Sequence, residues 1–202
     1  AISFNGVSQK TASIVPSDPD PQGVQVVKTT HAILIGGKTI QYTAFTGYMH
    51  MKADTGKVLS KIFFTYYQKE GEDAGKRPVT FTFNGGPGSA SLWLHMGGVG
   101  PKRVLLKDDG SATAAPYTYI PNEFSWLDKT DLVFIDPVST GFSRAVNGEK
   151  ESNYHGYVED ITSVGAFVRN FLSRYDRWAS PKFLAGESYG TTRAAGLSKY
   201  LQ

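Results

Sequence analysis

The sequence predicts an α/β fold in which antiparallel strands lead into parallel ones. Three observations carry that expectation. Two β-rich runs meet at a Gly-Gly pair; two short apolar runs, 131–136 and 182–185, read as strands buried on both faces; and a long stretch with helical periodicity lies between them. Strand, loop, strand, long helix, strand, tight turn and helix is the order that parallel pairing produces.

The leading elements come first. Residues 1–23 are rich in Ser, Pro, Asp and Gln, with Pro16, Pro19 and Pro21 close together, and are expected as an extended arm. Residues 24–35 and 38–51 are β-rich and joined at Gly36-Gly37, a hairpin signal. A third run, 58–68, follows the turn Asp54-Thr55-Gly56, so the three form an antiparallel meander. Residues 69–77 are densely charged and are expected as a solvated loop.

The pattern then changes. Pro78 leads into Val79, Phe81 and Phe83 on one face and Thr80 and Thr82 on the other, a strand that ends abruptly in NGGPGSAS. A helix is expected within 153–178. There Tyr157, Val158, Ile161, Val164, Val168, Phe171, Leu172 and Tyr175 keep one apolar stripe. Ser152 or Asn153 is the expected cap, Glu159 and Asp160 sit at the positive end of the dipole, and Arg169, Arg174 and Arg177 lie toward the other end. KFLA at 182–185 is expected as a buried strand, followed by GESYG and the helix-compatible TTRAAGLSKYL.

Composition narrows the function classes. At 202 residues the chain is long enough for one sizeable core, and 40% hydrophobic with 13% aromatic residues sets it apart from a disordered tail. No apolar run approaches the roughly 18 residues of a membrane span. With no cysteine there is no disulfide scaffold, iron–sulfur site or thiol nucleophile. The 21 basic residues are scattered and the net charge is only +3, so nothing marks a nucleic-acid partner. No histidine pair has metal-ligand spacing, and neither a metal nor a cofactor is expected.

Two segments carry chemistry. Gly186-Glu187-Ser188-Tyr189-Gly190 is a G-x-S-x-G sequence between an apolar strand and a helix. A sharp turn there lifts a serine oxygen clear of the sheet edge, and the helix N-terminus behind it supplies backbone donors and positive potential. Asn84-Gly85-Gly86-Pro87-Gly88 follows a strand directly, where main-chain N–H groups can approach a developing oxyanion. A dinucleotide loop fits poorly, because Gly86 and Gly88 are followed by Ser91, and a Walker loop fails because Ala32 stands where Gly37-Lys38-Thr39 needs a leading glycine.

NGGPGSAS, NEFSW at 122–126, DPVSTGFS at 136–143 and GESYG, in that order, resemble the serine carboxypeptidase family of α/β-hydrolases over residues 78–202. The absence of cysteine makes the likeness one to a bacterial-type member. The resemblance implies an incomplete α/β-hydrolase fold over 24–202 and a carboxypeptidase acting through an acyl-enzyme on Ser188. It implies an oxyanion hole from the N–H groups of Gly86 and Tyr189. It further implies that Asn84 and Glu187, with the backbone of Gly85, grip the free carboxylate of a peptide substrate. A protonated Glu187 donates to that carboxylate, whereas an ionised one repels it. Proline iminopeptidases typically have His where Asn84 stands, which argues for a free carboxyl end. Many relatives carry Trp where this chain has Thr82.

A serine hydroxyl needs a base, and the base an orienting acid. In α/β-hydrolases these follow the serine, yet after Ser188 the sequence contains no Asp, Glu or His before Gln202. Upstream, His31, His50, His95 and His155 read as ordinary structural histidines, with His95 the nearest to the glycine loop, and Asp136 belongs to a loop the family uses structurally. The expectation is therefore an N-terminal portion, inactive alone, whose acid and base lie on a missing C-terminal portion or second chain. Self-association through an unpaired inner strand and an exported location, periplasmic or secreted, complete the expectations; the start at Ala1 fits either a removed signal segment or a cut chain. The alternatives are an esterase or acyltransferase on the same scaffold, or a non-catalytic fragment or binding module.

Overall fold

The computed structural model describes residues 15–16 and 26–202. The arm expected over 1–23 lies outside the described residues except for Val15–Pro16 (β1), which pairs antiparallel with Val27 and Lys28. β2 (Val27–Ile35) and β3 (Lys38–Lys52) form the expected hairpin, with Gly36 and Gly37 at φ of 55° and 76°, the left-handed values a two-residue hairpin turn needs. β3 pairs antiparallel with β4 (Val58–Lys69), completing the meander.

β4 is the junction of the sheet. Its other edge pairs antiparallel with β8 (Asp131–Ile135), which pairs parallel with β5 (Val79–Phe83), which pairs parallel with β10 (Lys182–Gly186). The order is β1-β2-β3-β4-β8-β5-β10, with the short β9 (Arg144–Ala145) also on β4. A separate hairpin, β6 (Lys102–Val104) with β7 (Tyr119–Pro121), stands outside this sheet. The class is thus α/β, with a mixed sheet whose parallel strands are the ones predicted.

Strand alternation explains why the middle of the sheet is buried on both faces. Val133 and Ile135 join Phe64, Phe81 and Phe83 in one cluster, whereas Leu132 and Phe134 join Tyr42 and Tyr67 in another. Helix α2 (Tyr157–Arg174) lays Ile161, Val164, Phe167, Val168, Phe171 and Leu172 on the first cluster. Phe171 sits edge-on to Tyr66 at 4.9 Å and to Phe81 at 5.3 Å. Helix α3 (Tyr189–Tyr200) adds Leu197 to the same cluster. The other face is covered by α1 (Leu92–Leu94) running into a π-helical turn, His95–Val99.

Three expectations need correction. Helix α2 begins at Tyr157 behind Gly156, with no side-chain cap, because Ser152 and Asn153 are already spent in a 3₁₀ turn at Glu151–Tyr154. Both faces of β5 are buried, and on the threonine face Thr80 Oγ1 bonds Thr130 Oγ1 at 2.8 Å and Thr82 Oγ1 donates to the Val133 carbonyl at 3.0 Å. β10 is an edge rather than a buried strand. Among the described residues it pairs only with β5, and Phe183 is 55% exposed.

The third concerns charge. The loop 69–77 is not simply solvated, because Arg77 turns inward. Its Nε donates to Asp131 Oδ1 at 2.7 Å, while Arg177 Nη1 donates to Asp131 Oδ2 at 2.5 Å and to the Tyr66 hydroxyl at 2.5 Å. Asp131 and Arg177 are both fully buried. Burial and the neighbouring Asp131 carboxylate push the Tyr66 hydroxyl's pKa up. One buried carboxylate thus bridges two buried guanidiniums at the start of the parallel strands, and Glu72 gives Arg77 a second carboxylate at 2.8 Å.

Candidate active site

Register brings the two chemical motifs together. In the β5–β10 pair Gly186 lies opposite Phe83, so the next residues outward are Asn84 on one strand and Glu187 on the other. The Asn84 amide Nδ2 donates to Glu187 Oε2 at 3.1 Å. Its orientation is fixed from behind, because the Leu94 N–H donates to Asn84 Oδ1 at 3.0 Å and leaves the NH₂ group for Glu187. Asn84 is fully buried and Glu187 is exposed, so the pair meets at the edge of the site.

Ser188 sits at the turn between β10 and α3 with φ 55° and ψ −125°, a conformation L-residues avoid. It caps α3, and so stands at the positive end of that helix. Close approach of the two loops requires glycine at Gly85 and Gly190. A methyl group on Gly85 would run into the nitrogens of Tyr189 and Gly190, and one on Gly190 would lie 2.6 Å from the Phe83 carbonyl. Gly85 therefore lies directly against the elbow that carries Ser188 and Tyr189.

The other two motifs brace this corner. Asp136 Oδ1 accepts from the Ser91 N–H at 2.9 Å, and burial pushes the Asp136 carboxyl's pKa up against that bond and the Phe142 N–H. Ser143 Oγ accepts from the Phe63 N–H at 2.8 Å and donates to the Asp136 carbonyl at 2.6 Å. In NEFSW, Asn122 Nδ2 donates to the carbonyls of Gly98 and Gly100, and Ser125 Oγ to that of Val99, pinning the π-turn behind Asn84. Asp136 is thereby structural, as expected.

Three histidines are occupied elsewhere. His31 Nε2 bonds Thr29 Oγ1 at 2.7 Å, His95 Nε2 bonds the Tyr67 hydroxyl at 2.6 Å, and His155 Nε2 bonds Ser139 Oγ at 3.0 Å. His95, the nearest candidate by sequence, is stacked on Phe134 at 4.2 Å, and burial lowers its pKa to about 4. Among the described residues no group of three or more His, Asp and Glu side chains is placed to hold a metal.

Sequence comparison gives the deciding observation: the profile of the serine carboxypeptidase family matches residues 36–201. The chain belongs to the serine carboxypeptidase family. Its relatives include a carboxypeptidase Y homolog of Arthroderma benhamiae, 32% identical over 68% of this chain and 25% of that protein. A serine carboxypeptidase-like protein of Arabidopsis thaliana is 28% identical over 72% of this chain and 28% of its own length. A pheromone-processing carboxypeptidase of Pyricularia oryzae is 30% identical over 69% and 20%. The chain thus spans between a fifth and three tenths of the length of these three relatives. These relatives are fungal and plant proteins and lend no support to the bacterial type expected from the missing cysteine. Among solved structures, one described as an epoxide hydrolase from Pseudomonas aeruginosa has a TM-score of 0.35 and 14% identity over 76% of this chain and 36% of that one, a likeness too weak to carry an argument.

In this serine carboxypeptidase-family chain, sequence reasoning missed Asp160 and Arg193. Arg193 is 2% exposed and its Nε donates to both Asp160 oxygens at 3.1 and 2.9 Å. Its Nη1 donates to the Asn84 carbonyl at 2.8 Å, and its guanidinium lies 5.3 Å from the Phe83 ring and 5.2 Å from the Tyr189 ring. One signal was available: Arg193 is a lone charge within the otherwise small and uncharged run Thr191–Gly196.

Two cavities flank the elbow. One, of about 340 Å³, touches Thr82, Leu94, Val99, Trp126, Gly186 and Thr191 on the side of the Asn84–Glu187 pair. The other, of about 410 Å³, opens on the side of Gly88 and Tyr189.

Proposed function

We propose that this chain is the N-terminal part of an α/β-hydrolase domain in a serine-type carboxypeptidase, and that Ser188 is its nucleophile. The observation that carries the reading is the 3.1 Å bond between Asn84 and Glu187 beside the strained Ser188 elbow. Ser188 Oγ attacks the carbonyl carbon of the last peptide bond. The oxyanion that forms is held by the N–H groups of Gly86 and Tyr189. The C–N bond then breaks, the terminal amino acid leaves with the proton, and water later frees the acyl group.

Asn84, Glu187 and the Gly85 backbone hold the free carboxylate of the leaving residue, so the substrate is a peptide with an unblocked C-terminus. Asn84 offers a second amide hydrogen beyond the one given to Glu187, and a carboxylate oxygen between the two side chains replaces their mutual contact.

The base and its orienting acid come from a further portion of the protein or a second chain. Support comes from the occupation of His31, His95 and His155 away from Ser188. The chain alone therefore binds without turnover, which also favours the non-catalytic reading for the isolated chain. The edge of β10 that has no strand partner among the described residues supports self-association of the isolated chain. Export fits the pheromone processing named for one relative.

The test compares the isolated chain with the product of the complete reading frame on an N-blocked dipeptide. The reading expects release of the terminal amino acid by the longer protein only, lost in Ser188→Ala. Turnover by the isolated chain that disappears in His95→Ala would overturn the division of machinery. Equal turnover of the acid and its C-terminal amide would point to an esterase or acyltransferase instead.

A further inference from the structure

At the end of β5 the main chain hands one carbonyl to a side chain. The Phe83 carbonyl accepts from the Glu187 N–H at 3.3 Å, and the Gly85 carbonyl accepts from the Ser89 N–H at 3.0 Å. Between them lies the Asn84 carbonyl, which accepts from Arg193 Nη1 at 2.8 Å. Asn84 is fully buried, so loss of that donor would leave its oxygen without a bond that water could readily replace.

The peptide bond from Asn84 to Gly85 is trans and planar, which sets its C=O and its N–H on opposite edges. Whatever holds the oxygen therefore aims the Gly85 N–H the other way. Arg193 borders the cavity on the Gly88 side, whereas the Asn84–Glu187 pair borders the other cavity through Leu94 and Gly186. The Gly85 N–H is thus turned away from the guanidinium and toward the side of that pair. A charged donor on the oxygen also polarises the peptide, which makes the N–H on its far edge a stronger donor.

Arg193 is itself held from other directions. Its Nε donates to both oxygens of Asp160 on α2, and its guanidinium lies against the rings of Phe83 and Tyr189. The planar fork serves Asp160 and Asn84 at once, which the single ammonium of a lysine cannot do in the same geometry.

We propose that Arg193 is a positioning residue for the carboxylate grip: by holding the Asn84 carbonyl it aims the Gly85 N–H, and the Asn84 side chain beside it, at the free carboxylate of the substrate. The inference rests on Asn84, Glu187 and the Gly85 backbone being the groups that hold that carboxylate.

The test uses the full-length protein, an N-blocked dipeptide and the C-terminal amide of the same dipeptide. Arg193→Met/Asp160→Leu replaces the ion pair as a unit, so no buried charge is left alone. Its kcat/KM on the free acid is expected to fall about tenfold more than on the amide, with the difference carried by KM. Arg193→Lys keeps Asp160 paired, is expected to lose about threefold in the same ratio, and carries the test if the apolar pair does not fold. A merely structural role would lower acid and amide alike, so equal losses on the two substrates overturn the inference. A wild-type protein that does not distinguish acid from amide removes the carboxylate grip, and this inference with it. A wild-type preference that survives undiminished in the variants removes the role of Arg193 alone.

Discussion

Arg193 Nη1 donates to the carbonyl oxygen of Asn84 at 2.8 Å, tying helix α3 to the loop after β5. The same guanidinium is paired with Asp160 of α2 and stacked between Phe83 and Tyr189. One buried cation therefore fixes the glycine loop, the nucleophile elbow and the long helix relative to one another. Arg193→Met leaves the Asp160 carboxylate buried without its counter-ion and is expected to cost about 3–5 kcal/mol in urea unfolding. Arg193→Lys keeps the charge but not the fork that reaches both Asp160 and Asn84, and is expected to recover only part of that loss.

The strain at Ser188 predicts a trade between stability and chemistry. A left-handed φ at a residue with a side chain costs on the order of 1–3 kcal/mol. Ser188→Gly relieves most of this, offset by roughly 0.5–1 kcal/mol of extra chain entropy in the unfolded state. The expected outcome is a melting temperature raised by a few degrees, with loss of any labelling by a serine-directed fluorophosphonate. A lower melting temperature would mean that the serine side chain stabilises the turn more than the backbone strain opposes it.

His95 gives the fold an acid limit. Burial lowers its folded pKa from 6.5 to about 4, so between those values the unfolded chain holds the proton and the folded chain does not. Stability is therefore full above about pH 6.5 and declines as the pH falls toward 4, by on the order of 3 kcal/mol for this group. The buried Asp136, whose pKa is raised, acts in the opposite sense, gaining as its own pKa is crossed from above. Denaturation midpoints at pH 7 and pH 5 check the sign: the drop is expected to shrink in His95→Gln.

Asp131 predicts the largest single loss of stability outside the apolar core. It pairs with Arg77 and Arg177, and both guanidiniums are buried. Asp131→Asn leaves the buried Arg177 without its carboxylate partner and Arg77 with Glu72 alone, with an expected cost of about 3–5 kcal/mol or failure to fold. Adding Arg177→Met to it is expected to restore part of the loss, which a double-mutant cycle reads directly.

These charges also show where sequence reasoning stops. Gly36-Gly37 and the GESYG elbow were legible because local turn chemistry dictates them, and the stripe from Ile161 to Leu172 because burial follows helical period. Asn84 and Glu187 were legible as partners only through a family likeness, since the register of β5 on β10 brings them together. Arg77, Asp131 and Arg177 gave no local signal: they lie far apart in the chain, and charged loop residues are solvated in most proteins. Asp160 looked like a dipole partner at the start of a helix, and only the packing of α2 on α3 turns it toward Arg193. The edge position of β10 likewise depends on strand order, which apolar runs do not encode.

The central claim is that Ser188, with Asn84 and Glu187, removes the terminal residue of a peptide by its free carboxylate. The most direct measurement is kcat/KM of the full-length protein on an N-blocked dipeptide and on the amide of the same dipeptide, with Ser188→Ala and Asn84→Ala alongside. The expected result is a preference for the free acid of about a hundredfold, its collapse in Asn84→Ala, and no turnover in Ser188→Ala. Equal rates on acid and amide, or turnover that survives Ser188→Ala, would contradict it.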